Sequence, residues 1–191
     1  MAEDIHYELR FCGSGGQGLM LLGEIVAQAA GCVNGLKVLL TKSYGPEARG
    51  TACRSELIIT SRLLFELSVK SPDLMVALSQ TALDKFDYDL KSKSLLLIDS
   101  GLKQVTKNDS AVTLKIPFTE ISYNCIGNPS QVNMVALGSV AFFMPLLDRQ
   151  SFFLILNKYI QERKIFKESL AAFKAGYEYT NMYNNKSSLI F

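Results

Sequence analysis

Phe11-Cys12-Gly13-Ser14-Gly15-Gly16-Gln17-Gly18 is the stretch on which the fold of this 191-residue chain depends. The strand-like run that leads into it, residues 7–12, predicts a strand, and the apolar side chains Leu19, Leu22 and Val26 that follow at helical spacing predict a helix. Glycines let the backbone turn sharply between the two elements and leave it bare. The first amides of the helix favour a negative group, so we expect an anion or another backbone to lie against this loop.

The rest of the chain continues an α/β pattern. Short apolar runs predict further strands at residues 37–41, 57–60, 63–67, 73–78, 94–98 and 111–116, of which 37–41 reads as fully buried. Helical spacing predicts helices at residues 81–86, 131–144, 152–160 and 164–176, with a polar tail after Tyr179. We therefore expect one domain over residues 1–191, an α/β Rossmann-like three-layer sandwich with a helical C-terminal third. Its sheet is mostly parallel and partly mixed, because Arg62 lies in the turn of a predicted hairpin between strands 57–60 and 63–67.

The composition predicts a globular, cytoplasmic protein. Apolar residues make up 48% of the chain and charged residues 20%, and a net charge of +2 offers no basic stripe for nucleic acid. The four cysteines, Cys12, Cys32, Cys53 and Cys125, stand far apart, so no metal site is expected. They are predicted to be reduced thiols, with Cys32 and Cys125 in or near the core.

Residues 121–147 contain no charged side chain and could be mistaken for a membrane span. Polar residues and prolines interrupt the apolar run well before the roughly 20 residues that a spanning helix needs. These interruptions are Asn124, Asn128, Pro129, Gln131, Asn133 and Pro145. The stretch therefore predicts a helix buried in a core or an interface.

The glycine loop has two interpretations from its own residues. Gly13-x-Gly15-x-x-Gly18 matches the dinucleotide-binding fingerprint, which also needs an acidic residue at the end of the second strand. That strand ends here in Leu40-Thr41-Lys42, and Gly16 departs from the usual spacing. An NAD(P)-dependent oxidoreductase stays an alternative, beside a tight turn that only packs the helix on the sheet.

A second loop, Ser43-Tyr44-Gly45-Pro46-Glu47-Ala48-Arg49-Gly50-Thr51, follows the second strand. We expect it at the same carboxyl edge of the sheet as the glycine loop, where open α/β folds bind ligands. Arg49 can hold a carboxylate or phosphate in bidentate fashion, and the plainer alternative is a solvated Glu47–Arg49 pair worth under about 1 kcal/mol. The candidate site residues are Gly13, Ser14, Gly15, Gly16, Gln17 and Gly18 of the glycine loop, with Tyr44, Gly45, Glu47, Arg49 and Gly50 of the second loop.

No catalytic constellation is evident in the sequence. His6 is the only histidine, so a Ser-His-Asp or Cys-His arrangement has no evident members. Asp84, Asp87 and Asp89 lie among lysines and predict a solvated helix end. We therefore assign no catalytic residue to this chain and expect a subunit that works with others.

Three further motifs accompany the two loops: Asp73-Leu74-Met75-Val76-Ala77-Leu78, Ile116-Pro117 and Asn133-Met134-Val135-Ala136-Leu137-Gly138. In this order the five motifs resemble the gamma subunit of 2-oxoacid:ferredoxin oxidoreductases, over residues 9–176. Tyr-Gly-Pro-Glu ahead of Arg-Gly is most similar to the 2-oxoglutarate enzyme, and the pyruvate, indolepyruvate and 2-oxoisovalerate enzymes stay open. Thr51 departs from the family, which usually has a second glycine after Gly50.

This resemblance implies a gamma-type domain in a complex that converts a 2-oxoacid and coenzyme A into acyl-CoA, carbon dioxide and reduced ferredoxin. It implies that thiamine diphosphate, Mg²⁺ and iron–sulfur clusters are held by companion alpha and beta subunits, with a ferredoxin-like delta subunit left open. This chain alone would then bind no cofactor and show no turnover, and its glycine loop would face a partner or coenzyme A. A binding module without enzymatic role is the alternative of another class.

Overall fold

The computed structural model describes residues 4–33, 35–45, 51–65, 67–103, 111–144, 146–147, 149–160 and 166–187. The chain divides into two compact units, Met1–Ile116 and Pro117–Phe191. No helix in the described ranges is long and apolar enough to cross a membrane.

The first unit is built on a six-stranded sheet in the order β2-β3-β1-β4-β5-β6. Its elements along the chain are β1 (His6–Ser14), α1 (Leu19–Gly31), β2 (Lys37–Ser43), β3 (Ala52–Thr60), β4 (Leu74–Ala77), α2 (Gln80–Phe86), β5 (Leu95–Asp99) and β6 (Val112–Ile116). Only β3 runs against its two neighbours, while β1, β4, β5 and β6 pair in parallel. The predicted α/β class and the mixed, mostly parallel sheet are confirmed.

The helices α1 and α2 cover opposite faces of this sheet. In the β1–β3 ladder Phe11 pairs with Ser55 and Cys12 with Arg54, so Ser55 and Cys12 point to opposite faces. On the Ser55 face, α1 approaches so closely that a β-carbon on Gly23 would overlap the serine hydroxyl. On the Cys12 face, the buried cluster includes the following side chains of α2: Ala82, Leu83 and Phe86. The unit is therefore a three-layer sandwich.

The predicted hairpin is wrong. β3 ends at Thr60, its two hydrogen-bonded neighbours are β1 and β2, and residues 61–65 and 67 form no strand. The chain reverses between β2 and β3 instead, which places β3 between β1 and β2. The expectation of a fully buried strand at 37–41 is also wrong, because β2 is the edge strand and its central residues are half-buried.

The second unit confirms the helical C-terminal third. It contains α3 (Phe118–Ile126), a 3-10 turn (Pro129–Gln131), α4 (Val132–Phe143), α5 (Arg149–Ile160) and α6 (Phe166–Ser187). α6 continues beyond the predicted end at Gly176, so the expected tail after Tyr179 is helical as far as Ser187.

Two glycines allow α4 and α6 to pack closely. A β-carbon on Gly138 would overlap the carbonyl oxygen of Phe173, and one on Gly176 would overlap that of Val135. Beside this contact, the hydroxyl of Thr180 donates to the Ser139 oxygen at 2.7 Å. Residues 132–141 are all buried, as the uncharged stretch predicts.

Candidate functional site

The glycine loop forms a tight connection between β1 and α1. Gly16 and Gly18 have φ angles of 97° and 71°, a backbone conformation that side chains disfavour, so glycine is required at both positions. Gly18 precedes the first residue of α1 and no side chain caps this helix end. The first-turn amides of α1 therefore carry the partial positive charge that favours an anionic group.

Gln17 fastens the glycine loop to the neighbouring strand end. Its Oε1 accepts a hydrogen bond from the Ser14 amide at 2.7 Å, and its Nε2 donates to the Leu78 carbonyl at 2.9 Å. Leu78 follows β4 directly, and its own amide donates to the Cys12 carbonyl at 2.9 Å. The side chain thus joins the carboxyl ends of two parallel strands, β1 and β4.

The loop lies at the topological switch point of the sheet. From β1 the chain crosses through α1 to β2 on one side, and from β4 it crosses through α2 to β5 on the other side. Open α/β sheets bind ligands at the carboxyl ends of the strands beside such a reversal. Ser79, which begins the second connection, caps α2 by accepting from the Ala82 amide at 3.3 Å.

The two ends of the second loop lie beside the glycine loop. The Gly15 amide donates to the Thr51 carbonyl at 3.2 Å, and the side chain of Thr51 leaves no room for a β-carbon on Gly45. Tyr44, next to it, is exposed. The other second-loop candidates, Glu47, Arg49 and Gly50, lie outside the described residues.

The end of β2 argues against the dinucleotide alternative. β3 separates β2 from β1, so the end of the second strand is not adjacent to the glycine loop. Lys42, the residue there that could accept a phosphate, forms an ion pair with Glu24 of α1.

Below the loop, the strands carry a buried ionic cluster that sequence reasoning missed. Arg10 of β1 is fully buried; its Nε donates to Glu56 at 2.7 Å, and its Nη1 donates to the Phe86 carbonyl at 2.8 Å. Its two terminal nitrogens bind the Asp89 carboxylate, with Nη2 at 2.8 Å from Oδ2. Burial lowers the pKa of Arg10, but the hydrogen bonds with Asp89 and Glu56 outweigh it and raise that pKa above its usual value.

The prediction of a solvated helix end at the aspartates is wrong in part. Asp89 binds Arg10 and Asp87 is fully buried, while Asp84 is exposed and accepts from Gln80. The signal that could have found the cluster is the presence of two opposite charges, Arg10 and Glu56, in the middle of two strands.

The prediction that Cys32 and Cys125 lie in or near the core is wrong. Cys32 and Cys125 are exposed, whereas Cys12 and Cys53 of β1 and β3 are buried. Burial raises the pKa of the Cys12 thiol and that of Cys53 above their usual range, which keeps both thiols neutral. Among the residues that the structure describes, no group of histidine, cysteine or carboxylate side chains could hold a metal ion.

These features define a doubly wound α/β unit that presents a glycine loop, flanked by the two ends of a second loop, at its switch point. The chain belongs to the family described as pyruvate ferredoxin/flavodoxin oxidoreductase, whose sequence model matches residues 8–179.

The relatives confirm the resemblance to gamma subunits. 2-Oxoglutarate synthase subunit KorC of Methanocaldococcus jannaschii is 36% identical over 176 residues, which cover 90% of this chain and 92% of the relative. Ketoisovalerate oxidoreductase subunit VorA of Methanothermobacter thermautotrophicus is 30% identical over 173 residues, which cover 90% of this chain and 36% of the relative. The homologues are thus subunits of 2-oxoacid oxidoreductase complexes.

Solved structures of other proteins have the same fold as this chain. The gamma subunit of a keto/oxoacid ferredoxin oxidoreductase from Geobacter sulfurreducens superposes with a TM-score of 0.81 at 31% identity, over 93% of this chain and 98% of the other. The 2-oxoglutarate:ferredoxin oxidoreductase of Magnetococcus marinus, solved with 2-oxoglutarate, coenzyme A and succinyl-CoA, has a TM-score of 0.84. Its identity is 19%, over 94% of this chain and 32% of the other, so it shows the fold alone.

Proposed function

We propose that this chain is the gamma-type subunit of a multisubunit 2-oxoacid:ferredoxin oxidoreductase that uses 2-oxoglutarate. The observation that carries the proposal is the extent of the similarity to KorC, which spans nearly all of both chains. The family match runs across both compact units, which supports the proposal that Met1–Ile116 and Pro117–Phe191 serve together as one gamma-type domain.

In this function the complex oxidatively decarboxylates the 2-oxoacid with coenzyme A and passes the electrons to ferredoxin. Thiamine diphosphate with Mg²⁺ and the iron–sulfur clusters belong to companion alpha and beta subunits, with or without a ferredoxin-like delta subunit. This chain contributes no catalytic residue and has no turnover alone. The cytoplasm is the compartment we propose.

The glycine loop faces coenzyme A or a companion subunit in this proposal. Its support is local: the first amides of α1 have no side-chain cap, and Gly16 is exposed in the same loop. A pyrophosphate is an anion that such a helix end accommodates. Arg49 would hold a second anionic group through its guanidinium.

The test is purification of the chain together with its companion subunits. The complex is assayed side by side with 2-oxoglutarate, pyruvate, 2-oxoisovalerate and indolepyruvate, with coenzyme A and a viologen dye as electron acceptor. We expect dye reduction that depends on coenzyme A and is fastest with 2-oxoglutarate. Preference for another 2-oxoacid would assign the chain to that enzyme, and turnover by the isolated chain would contradict the proposal.

The two alternative functions, a nicotinamide-dependent oxidoreductase and a non-enzymatic binding module, predict different experimental results. A nicotinamide-dependent oxidoreductase predicts saturable binding of NADH or NADPH to the isolated chain by titration calorimetry. A non-enzymatic binding module predicts stable partners that carry no thiamine diphosphate.

Replacement of Gly16 by valine tests the loop. Gly16→Val forces a branched side chain into a positive φ, and Gly35→Val imposes the same strain at a turn before β2, away from the switch point. We expect Gly16→Val and Arg49→Ala to raise the KM for coenzyme A in the complex, while Gly35→Val leaves it unchanged. Equal KM values in all variants would contradict a role of the loops in binding coenzyme A.

A further inference from the structure

The side chain of Gln17 folds back into the glycine loop and lies beside Gly13. A β-carbon on Gly13 would overlap the Gln17 Oε1 atom, so the carboxamide fills the space that this glycine leaves open. The same oxygen accepts from the Ser14 amide at 2.7 Å, and the carboxamide nitrogen donates to the Leu78 carbonyl at 2.9 Å. One backbone donor and one backbone acceptor therefore bind the same carboxamide. We call these groups of Gly13, Ser14 and Leu78 the amide cradle.

The chemistry of the amide cradle suits a neutral carboxamide better than an anion. A carboxamide offers both an acceptor oxygen and an NH₂ donor, so it satisfies the Ser14 amide and the Leu78 carbonyl together. An ionised carboxylate or pyrophosphate offers mainly acceptor oxygens. Such an anion could bind the Ser14 amide, but it would bring negative charge against the Leu78 carbonyl oxygen and leave that oxygen without its donor.

Two further amides of the glycine loop donate within the protein. The Gly15 amide binds the Thr51 carbonyl and the Gln17 amide binds the Ser14 carbonyl, both at 3.2 Å. In a dinucleotide fingerprint the second glycine, here Gly15, lets the backbone approach the pyrophosphate. A pyrophosphate on the inner side of this loop would therefore have to displace the Gln17 carboxamide and the Thr51 carbonyl.

We propose that the crevice at the switch point is a carboxamide site that the chain fills with its own Gln17. The ligand class of the amide cradle is a neutral primary amide, and Gln17 keeps dinucleotides out of a loop whose sequence fits their fingerprint. The inference concerns the isolated chain and goes beyond the proposed function. Where it rests on that function, it narrows the contact with coenzyme A or a companion subunit to the outer side of the loop, where Gly16 is exposed.

The experiment empties the amide cradle and offers it matched small molecules. Gln17→Ala removes a fragment with the size and polar groups of acetamide, and acetate has the same shape with a negative charge. Thermal melts of the isolated full-length chain are recorded with acetamide, acetate or inorganic pyrophosphate. Acetamide should raise the melting temperature of Gln17→Ala by about 2–4 °C more than that of the wild type, whereas acetate and pyrophosphate should not. Gln150→Ala, which removes an exposed glutamine of α5, is the control and should respond like the wild type.

Each other outcome of the melts overturns the inference. Stabilisation of Gln17→Ala by acetate or pyrophosphate in place of acetamide would make the cradle an anion site. Equal effects of acetamide on Gln17→Ala, Gln150→Ala and the wild type would show that the cradle binds no amide. The proposed function stands in both cases, because it is tested by turnover of the complex. A complex without turnover that depends on coenzyme A would contradict the proposed function and leave the amide cradle as it is.

A second measurement uses the wild-type chain and does not depend on how well a variant folds. Inorganic pyrophosphate is titrated into the ¹⁵N-labelled chain, and the amide resonances of Ser14 and Gly15 are followed by nuclear magnetic resonance. Both resonances should stay in place, because these amides already donate to Gln17 and Thr51. Saturable shifts of both would show that an anion enters the loop and would overturn the inference.

Discussion

Arg10 and Asp89, 79 positions apart in the chain, form a bidentate ion pair below the switch point. Arg10 is fully buried in β1, and the segment after α2 reaches it with a carboxylate and with the carbonyl of Phe86. Glu56 of β3 completes the set of acceptors. The guanidinium therefore joins two strands to the connection that follows α2.

Replacement of Arg10 by alanine should be strongly destabilising. The variant removes the guanidinium that Asp89 binds and leaves Glu56 with Arg54, 3.3 Å away, and breaking a buried ion pair costs about 3–5 kcal/mol. The matched control is Arg62→Ala, which removes an exposed pair with Asp4 and should cost under about 1 kcal/mol. Urea unfolding followed by circular dichroism measures both. Equal losses of unfolding free energy in the two variants would contradict a stabilising effect of burying the Arg10 ion pairs.

The periodic parts of the fold could be predicted from the sequence. The glycine loop and α1 follow from local spacing, and the uncharged run marks the buried α4. Local patterns could not show that β3 returns between β1 and β2, because strand pairing is a long-range property. Residues 63–67 read as a strand from composition, yet the described ones, 63–65 and 67, form no strand, and Leu63, Phe65 and Leu67 are exposed.

In the candidate site, too, the local features could be predicted from the sequence and the long-range contacts could not. The glycines at positions 16 and 18 were predictable, because a sharp turn needs a positive φ there. The Gln17 bridge to Leu78 was not, since its acceptor is a backbone carbonyl 61 residues away. Cys125, predicted near the core, is exposed on α3, and the absence of charge in its stretch does not tell which side of a helix faces solvent.

The contact between α4 and α6 predicts a strong effect of one methyl group. Gly138→Ala and Gly176→Ala each place a β-carbon into the backbone of the facing helix, so the helices have to separate. We expect each to lower the free energy of unfolding by about 1–3 kcal/mol. Gly31→Ala is the control, because its β-carbon meets no atom within 4 Å at the end of α1, and alanine favours the helix by up to about 1 kcal/mol. Equal melting temperatures of the Gly138→Ala and Gly31→Ala variants would contradict this close contact.

Gln17 should control the order of the glycine loop. Gln17→Ala removes both the acceptor for the Ser14 amide and the donor to Leu78, and Gln17→Glu keeps only the acceptor. We expect faster hydrogen exchange of residues 14–18 in both variants and a loss of about 1–3 kcal/mol in stability. Gln80→Ala, which loses two exposed hydrogen bonds, one to Asp84 and one from the Lys103 amide, is the control. If exchange rises equally in the control, the bridge has no special role.

The cysteines should differ in reactivity by location. In the folded chain at pH 8, Ellman's reagent should modify Cys32 and Cys125 quickly, and Cys12 and Cys53 only after denaturation. The double variant Cys32→Ser, Cys125→Ser should therefore show no fast phase. Rapid modification of that double variant would contradict the burial of the two strand cysteines.

Burial of Cys12 should also make stability fall at alkaline pH. Because burial raises the pKa of this thiol in the folded chain, only the unfolded chain loses the proton as the pH rises above the ordinary thiol pKa of about 8.5. The unfolded state then binds fewer protons than the folded state, so the free energy of unfolding decreases with pH. Urea unfolding between pH 8 and 10 should show a shallower decrease for Cys12→Ala than for the wild type. Cys32→Ala, which removes an exposed thiol, should keep the wild-type slope, and a shallower slope there would contradict the assignment to Cys12.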